Sequence, residues 1–255
     1  MTDETPSPAP RGNWLTSPWL APAALGVALL ALVLAGVQMF GGFDARVRAY
    51  LLANPQVLQE VSAALQTQDA QQKAEVINAA VAANPRLLAP DPRDPSFGPA
   101  DAKVTVIEFF DFRCPGCKSV APEFLALMQA HPEVRFVFKD WPILDSAQDQ
   151  TSQYAARAAL AAHRQGKYLP VYQALLAEPA LTQDSIHRVL MENGVDLPTA
   201  LAAMETPEMT QHLTDIHTVG QTLRLIGTPT FFVNGRATAT IAPAEVNAAI
   251  KAAKR

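Results

Sequence analysis

Residues 106–124 read VIEFFDFRCPGCKSVAPEF: an apolar, β-type run, then Cys114-Pro115-Gly116-Cys117, then a helical pattern. These are the only two cysteines among 255 residues. Two cysteines scattered at random would fall at this spacing about once in a hundred chains. The pattern puts Cys114 where a strand ends and a helix begins. There the free N–H groups of the first turn and the positive end of the helix dipole stabilise an anion. The thiolate is the reactive form of cysteine, so this position makes a nucleophile. Pro115 falls in the first turn, where its missing N–H costs nothing. Cys117 lies one turn further in and can attack a mixed disulfide formed at Cys114. With both cysteines in one motif, no separate structural disulfide is possible. A four-cysteine zinc site is excluded, and a two-cysteine, two-histidine site would need remote histidines.

The rest of the chain sets the context. The formal net charge is −4 and no Lys/Arg run is interleaved with aromatics, so no nucleic-acid partner is expected. Residues 1–18 are Pro-rich and polar, the composition of a disordered tail. Residues 19–40 carry no charge and as a helix would span about 33 Å, against a hydrocarbon core of ~30 Å. They read as a transmembrane anchor, with a cleaved signal peptide as the alternative. Residues 44–88 read as helical, and Asn-Pro occurs at 54–55 and again at 84–85. Each pair can end one helix and start another. Val57, Leu58, Val61, Leu65, Val76, Ile77 and Val81 recur at helical spacing around a polar centre, 66–72. Such a stripe needs a cover: the neighbouring domain, a membrane surface, or a second copy of the chain. Residues 89–102, dense in Pro, Asp and Gly, read as a linker. From 103 to 255 the order is strand, helix, strand, a helical block at about 147–223, two short strands joined at Asn234-Gly235, and a closing helix.

EFFDFRCPGC at 108–117, FVFKDWPIL at 136–144 and GTPTFFVNG at 227–235 resemble the thioredoxin-fold disulfide oxidoreductases of the DsbA-like branch. The resemblance covers about 95–255. The segment 44–88 is similar to the N-terminal helical region of ScsC-type proteins, the suppressor-of-copper-sensitivity thiol oxidoreductases, some of which oligomerise through it. Together these imply an α/β thioredoxin fold with a large helical insertion, preceded by the transmembrane helix and a helical oligomerisation segment. They also imply a redox-active pair Cys114/Cys117 and a cis Thr228-Pro229 that binds client backbone. No cofactor or metal is implied. The implied partners are cysteine-containing exported proteins, a membrane partner that recharges the pair, and further copies through 44–88.

The resemblance places the catalytic domain outside the cytoplasm, where disulfides persist. Pro-Gly replaces the Pro-His of strongly oxidising DsbA. The expected potential therefore lies between about −120 mV for DsbA and about −270 mV for thioredoxin. A different class of function, holding soft Cu(I) on the paired thiolates, stands as the alternative.

Glu108 interrupts an apolar strand, where a carboxylate is costly unless paired. Either alternation turns it outward or toward Lys139, or it is a buried acid that exchanges a proton with Cys117, as the resemblance implies. Asp111 and Arg113 are expected to face solvent. The five histidines are dispersed, and His212 and His217 are five apart, a poor spacing for a shared metal.

Overall fold

The computed structural model describes residues 20–40 and 42–255, so the expected tail at 1–18 lies outside the described residues. The chain divides into a smaller unit ending at Leu65 and a larger one from Gln66 to Arg255.

The smaller unit holds α1 (Leu20–Phe40), α2 (Phe43–Ala53) and the beginning of α3 (Pro55–Ala83). Asn54 closes α2: its backbone N–H and its side-chain Nδ2 both donate to the Tyr50 carbonyl. Pro55 then opens α3, so the first Asn-Pro pair does join two helices, with the asparagine working as a C-cap. Leu52, Leu58, Val61 and Leu65 are all more than half exposed.

The transmembrane anchor expected at 19–40 is corrected. Among the described residues no helix is long and apolar enough to cross a membrane.

The larger unit is a five-stranded sheet in the order β1-β3-β2-β4-β5. Central β2 (Thr105–Phe110) runs parallel to β3 (Arg135–Asp140) and antiparallel to β4 (Thr230–Val233). Between β2 and β3 comes α4 (Pro115–Ala130), and between β3 and β4 come α5 (Thr151–Arg164), α6 (Tyr168–Ala177), α7 (Gln183–Glu192), α8 (Leu197–Met204) and α9 (Pro207–Thr222). After β5 (Arg236–Ala237), reached through positive-φ Asn234 and Gly235, α10 (Pro243–Ala253) closes the chain. This is the thioredoxin-like α/β fold with the expected helical insertion.

The period-two alternation of the strands divides the core. Val106 and Phe110 of β2, with Phe136 and Phe138 of β3, face a cluster built from α4, α5–α8 and α10. Ile107, Phe109 and Val137 face the other way, toward Trp141, Ile216, Leu223 and the end of α3. Ile77 and Val81 of α3 are buried there. The apolar stripe of 57–81 is therefore divided: its C-terminal part packs on the sheet of its own unit.

Strand β1 (Ser96–Phe97) was not foreseen, since it falls in the stretch read as a linker. It pairs antiparallel with β3, and Phe97 sets its ring against Phe138 and Tyr168.

Candidate active site

β2 ends at Phe110, and the next four residues aim the first cysteine. Asp111 is buried, contrary to the expected solvent-facing position. Its carboxylate accepts from the backbone N–H groups of Arg113, Ile143 and Leu144 at 2.8, 2.8 and 3.0 Å and from the Ser152 hydroxyl at 2.9 Å. Its carbonyl accepts from the Cys114 N–H at 3.0 Å. Four donors satisfy the buried charge and tie the loop before Cys114 to the segment after β3. Arg113 is half-buried and pairs with Asp149 at 2.8 Å.

Cys114 is the N-cap residue of α4, in extended conformation, and Pro115 occupies the first turn. Both cysteines are free thiols; Cys114 is 8% exposed and Cys117 is not exposed at all. The Cys114 thiol is lowered to about 5, chiefly by the hydrogen bond from the Cys117 thiol. Thr228 and the backbone N–H groups of Cys117 and Gly116 act in the same direction, while burial opposes them. Cys117 moves the opposite way: burial first, then Cys114 and the charge of Glu108, push its thiol far up. One sulfur is thus an anion at neutral pH and the other a thiol.

The Thr228-Pro229 bond is cis, as expected, and the Thr228 carbonyl lies 3.1 Å from Cys114 Sγ, within reach of its S–H. A Cβ at Gly116 would stand 3.2 Å from Pro229 Cδ and 3.6 Å from Cys114 Sγ. The glycine between the cysteines lets the proline ring approach the sulfur closely, and any larger residue would press on it. Next to Pro229 runs an open groove of about 300 Å³, lined by 226–231, by 238–241 and by Asp69, Lys73 and Ile77 of α3. Ile226 on its rim is 70% exposed.

Glu108 is fully buried on the face of β2 that carries Val106 and Phe110, the face turned to Cys117. The two bland expectations fail. It does not point outward, and Lys139, on the opposite face of β3, pairs with buried Asp94 instead. Tyr172 of α6 donates to Glu108 Oε2 at 2.9 Å, and Oε1 has no partner. Burial raises this carboxyl to about 8, against the Tyr172 hydrogen bond and with the help of Asp140.

Asp140, Tyr168 and Tyr172 were not singled out from the sequence. The available signals were a carboxylate at the end of an apolar strand and two tyrosines four apart, the spacing that puts both on one helix face. Among the described residues no group of three or more His, Cys, Asp or Glu could hold a metal ion.

Residues 105–250 match the DSBA-like thioredoxin domain, and residues 43–72 match the copper resistance protein ScsC N-terminal domain. A curated relative, the Na(+)/H(+) antiporter NhaA 3 of Salinispora tropica, is 34% identical over 162 residues. That match covers 59% of this chain and 23% of the antiporter, so the chain spans about a quarter of the length of the curated relatives it matches. A thioredoxin-like oxidoreductase from Silicibacter pomeroyi is 35% identical, with a TM-score of 0.62 over 67% of this chain and 98% of that one. The catalytic domain of Proteus mirabilis ScsC shares the fold at 21% identity, with a TM-score of 0.60 over 69% of this chain and 97% of that one.

Proposed function

Since this chain belongs to the DSBA-like thioredoxin domain family, we propose that it exchanges disulfides with cysteine-containing exported proteins outside the cytoplasm. In this reading Cys114 forms the mixed disulfide and Cys117 resolves it. The cis-proline edge at Thr228-Pro229 and the groove beside it receive an extended client segment. Glu108 exchanges a proton with Cys117. The observation that carries the reading is the opposite displacement of the two thiols. A sulfur lowered to about 5 attacks or leaves readily, and its buried neighbour stays protonated until a mixed disulfide forms. A separate redox partner returns the pair to its working state.

The copper reading needs both sulfurs as thiolates. Burial of Cys117 beside Glu108 opposes that, so disulfide exchange is preferred. The test is reactivation of a scrambled-disulfide substrate, with the potential of the Cys114–Cys117 pair measured alongside. Absence of exchange in the wild type together with Cu(I) retention would overturn the preference.

The exposed side chains of Leu52, Leu58, Val61 and Leu65 support self-association through the N-terminal helices. Each large apolar side chain fully removed from water contributes roughly 1.5–3 kcal/mol. An assembly presents several Cys114 sites to one client, which favours isomerase or reductase work. The full chain is expected to sediment as an oligomer, and Leu58→Asp with Leu65→Asp as a monomer. A monomeric wild type would remove the oligomer and with it the basis for that preference.

A further inference from the structure

Strands β2 and β3 pair as far as Phe110 and Asp140, and the Trp141 N–H still reaches the Phe110 carbonyl at 2.8 Å. The ladder stops there, because Pro142 carries no N–H. The next two donors along the chain, the backbone N–H groups of Ile143 and Leu144, go to Asp111 Oδ2 at 2.8 and 3.0 Å. Asp111 Oδ1 takes the Arg113 N–H at 2.8 Å and the hydroxyl of Ser152, in the first turn of α5, at 2.9 Å. Asp111 is 2% exposed and Ser152 is 1% exposed. Four donors fill the lone-pair sites of the two oxygens, and three of them are backbone N–H groups that can only donate. The side chain is therefore a carboxylate, anchored from three stretches of the chain.

This anchor holds the backbone of residue 111 in place, and both polar groups of that backbone are directed at the cysteines. The Asp111 carbonyl accepts the Cys114 N–H at 3.0 Å, which fixes the start of α4. The Asp111 N–H is hydrogen-bonded to the Cys117 sulfur and draws that thiol down against its burial. Of the charged side chains around it, Glu108 stands beside Cys117, and Arg113 pairs with Asp149 at 2.8 Å and with Asp145 at 3.5 Å. Asp145 in turn accepts the Ser152 and Gln153 N–H groups at 2.7 and 2.8 Å, so it seats the same turn of α5.

We propose that Asp111 is a positioning residue for disulfide exchange. Its anchored side chain keeps one backbone N–H on the Cys117 sulfur and one carbonyl on the turn that carries Cys114, and so raises the reduction potential of the pair. This rests on the exchange reading above. In the reduced protein the anchor keeps α4 turned so that the Cys117 S–H and the N–H groups of Gly116 and Cys117 converge on the Cys114 anion. A looser backbone spreads those donors, and the reduced form loses stability relative to the disulfide. When a client thiolate attacks Cys114 Sγ, the client–Cys114 bond forms and the Cys114–Cys117 bond breaks. Its electron pair leaves on the Cys117 sulfur, the atom that the Asp111 N–H faces.

The test is the pH midpoint of Cys114 alkylation in reduced full-length protein, together with the potential of the pair. Asp111→Asn keeps the shape of the side chain, but in either orientation its NH2 meets at least one backbone N–H from which it cannot accept. Loss of the charge alone favours the Cys114 anion and moves the midpoint down, whereas loss of the anchor moves it up. The expected result is a rise of about one pH unit. At pH 7 that is about a tenfold shift in the exchange equilibrium, or about 30 mV toward reducing. Ser152→Ala removes one donor and no charge. It should move both readouts the same way by about threefold, and it decides the matter if Asp111→Asn does not fold. A purely structural role lowers the melting temperature and leaves midpoint and potential at their wild-type values. That result, or a lowered midpoint, in a protein that exchanges disulfides overturns this proposal alone. A wild type that exchanges no disulfide with a cysteine peptide overturns the exchange reading and this proposal together.

Discussion

Reduced protein treated with a small alkylating reagent is expected to take up label at Cys114 with a midpoint near pH 5, while Cys117 stays unlabelled at pH 9 as long as the fold is intact. The Cys114 rate is expected to be flat from about pH 6 upward. An ordinary thiol gains about tenfold per pH unit until its own value near 8.5. At pH 6 the thiolate fraction of Cys114 exceeds that of a free cysteine by about 300-fold. Its lower basicity takes back most of this, leaving an advantage of about tenfold. The shape of the profile is thus a sharper test than its height.

The same displacement makes a stability statement. The Cys114 thiol of the reduced protein titrates lower in the folded than in the unfolded chain. Its contribution to the reduced fold is therefore complete above the unfolded value near 9 and is lost as pH falls through about 5. The disulfide form has no such contribution, so melts of the two forms should converge as pH drops across this window. A midpoint for Cys114 at 8 or above, or faster labelling of Cys117, would reverse the assignment of the two sulfurs.

The second large effect is covalent. Cys117→Ser is expected to accumulate stable mixed disulfides with client peptides through Cys114, visible as a mass increase that reductant removes. Cys114→Ser should form them at least on the order of a thousandfold more slowly, since the remaining thiol is buried and protonated. Adducts at Cys117 in the Cys114→Ser protein, at a rate near that of the first variant, would remove the division of labour.

Much of the site is legible in the sequence. The strand of apolar and aromatic residues, the break at Asp111–Cys114 and the helix opened by Pro115 are local matters. Backbone sterics and the N–H groups of a first turn decide them within a few residues. The Asn-Gly turn followed from a short motif of the same kind, whereas the cis Thr228-Pro229 bond was implied by the family resemblance. Other features rest on contacts between residues far apart in the chain. Strand parity puts Glu108 and Val106 on one face, yet it does not say which face will be dry. That was decided by α6, which brings Tyr168 and Tyr172 from about sixty residues downstream to cover Glu108. Asp111 looked like a loop carboxylate until the segment at 143–152 arrived with three of its four donors.

The short strand at 96–97 has no periodicity to announce it. It forms because the edge of β3 offers unpaired backbone groups and Phe97 finds Tyr168 and Phe138 beneath it. The apolar stripe of the N-terminal helices is continuous in sequence. Ile77 and Val81 are buried against the sheet of their own unit, and Leu58, Val61 and Leu65 are exposed. The sequence by itself determined the exchange motif and its place between a strand and a helix, because neighbours in the chain decide those. Tertiary structure alone decided the protonation of Glu108, the second carboxyl at Asp140 and the fate of the stripe. Burial depends on what lies across the gap, and that neighbour comes from a distant part of the chain.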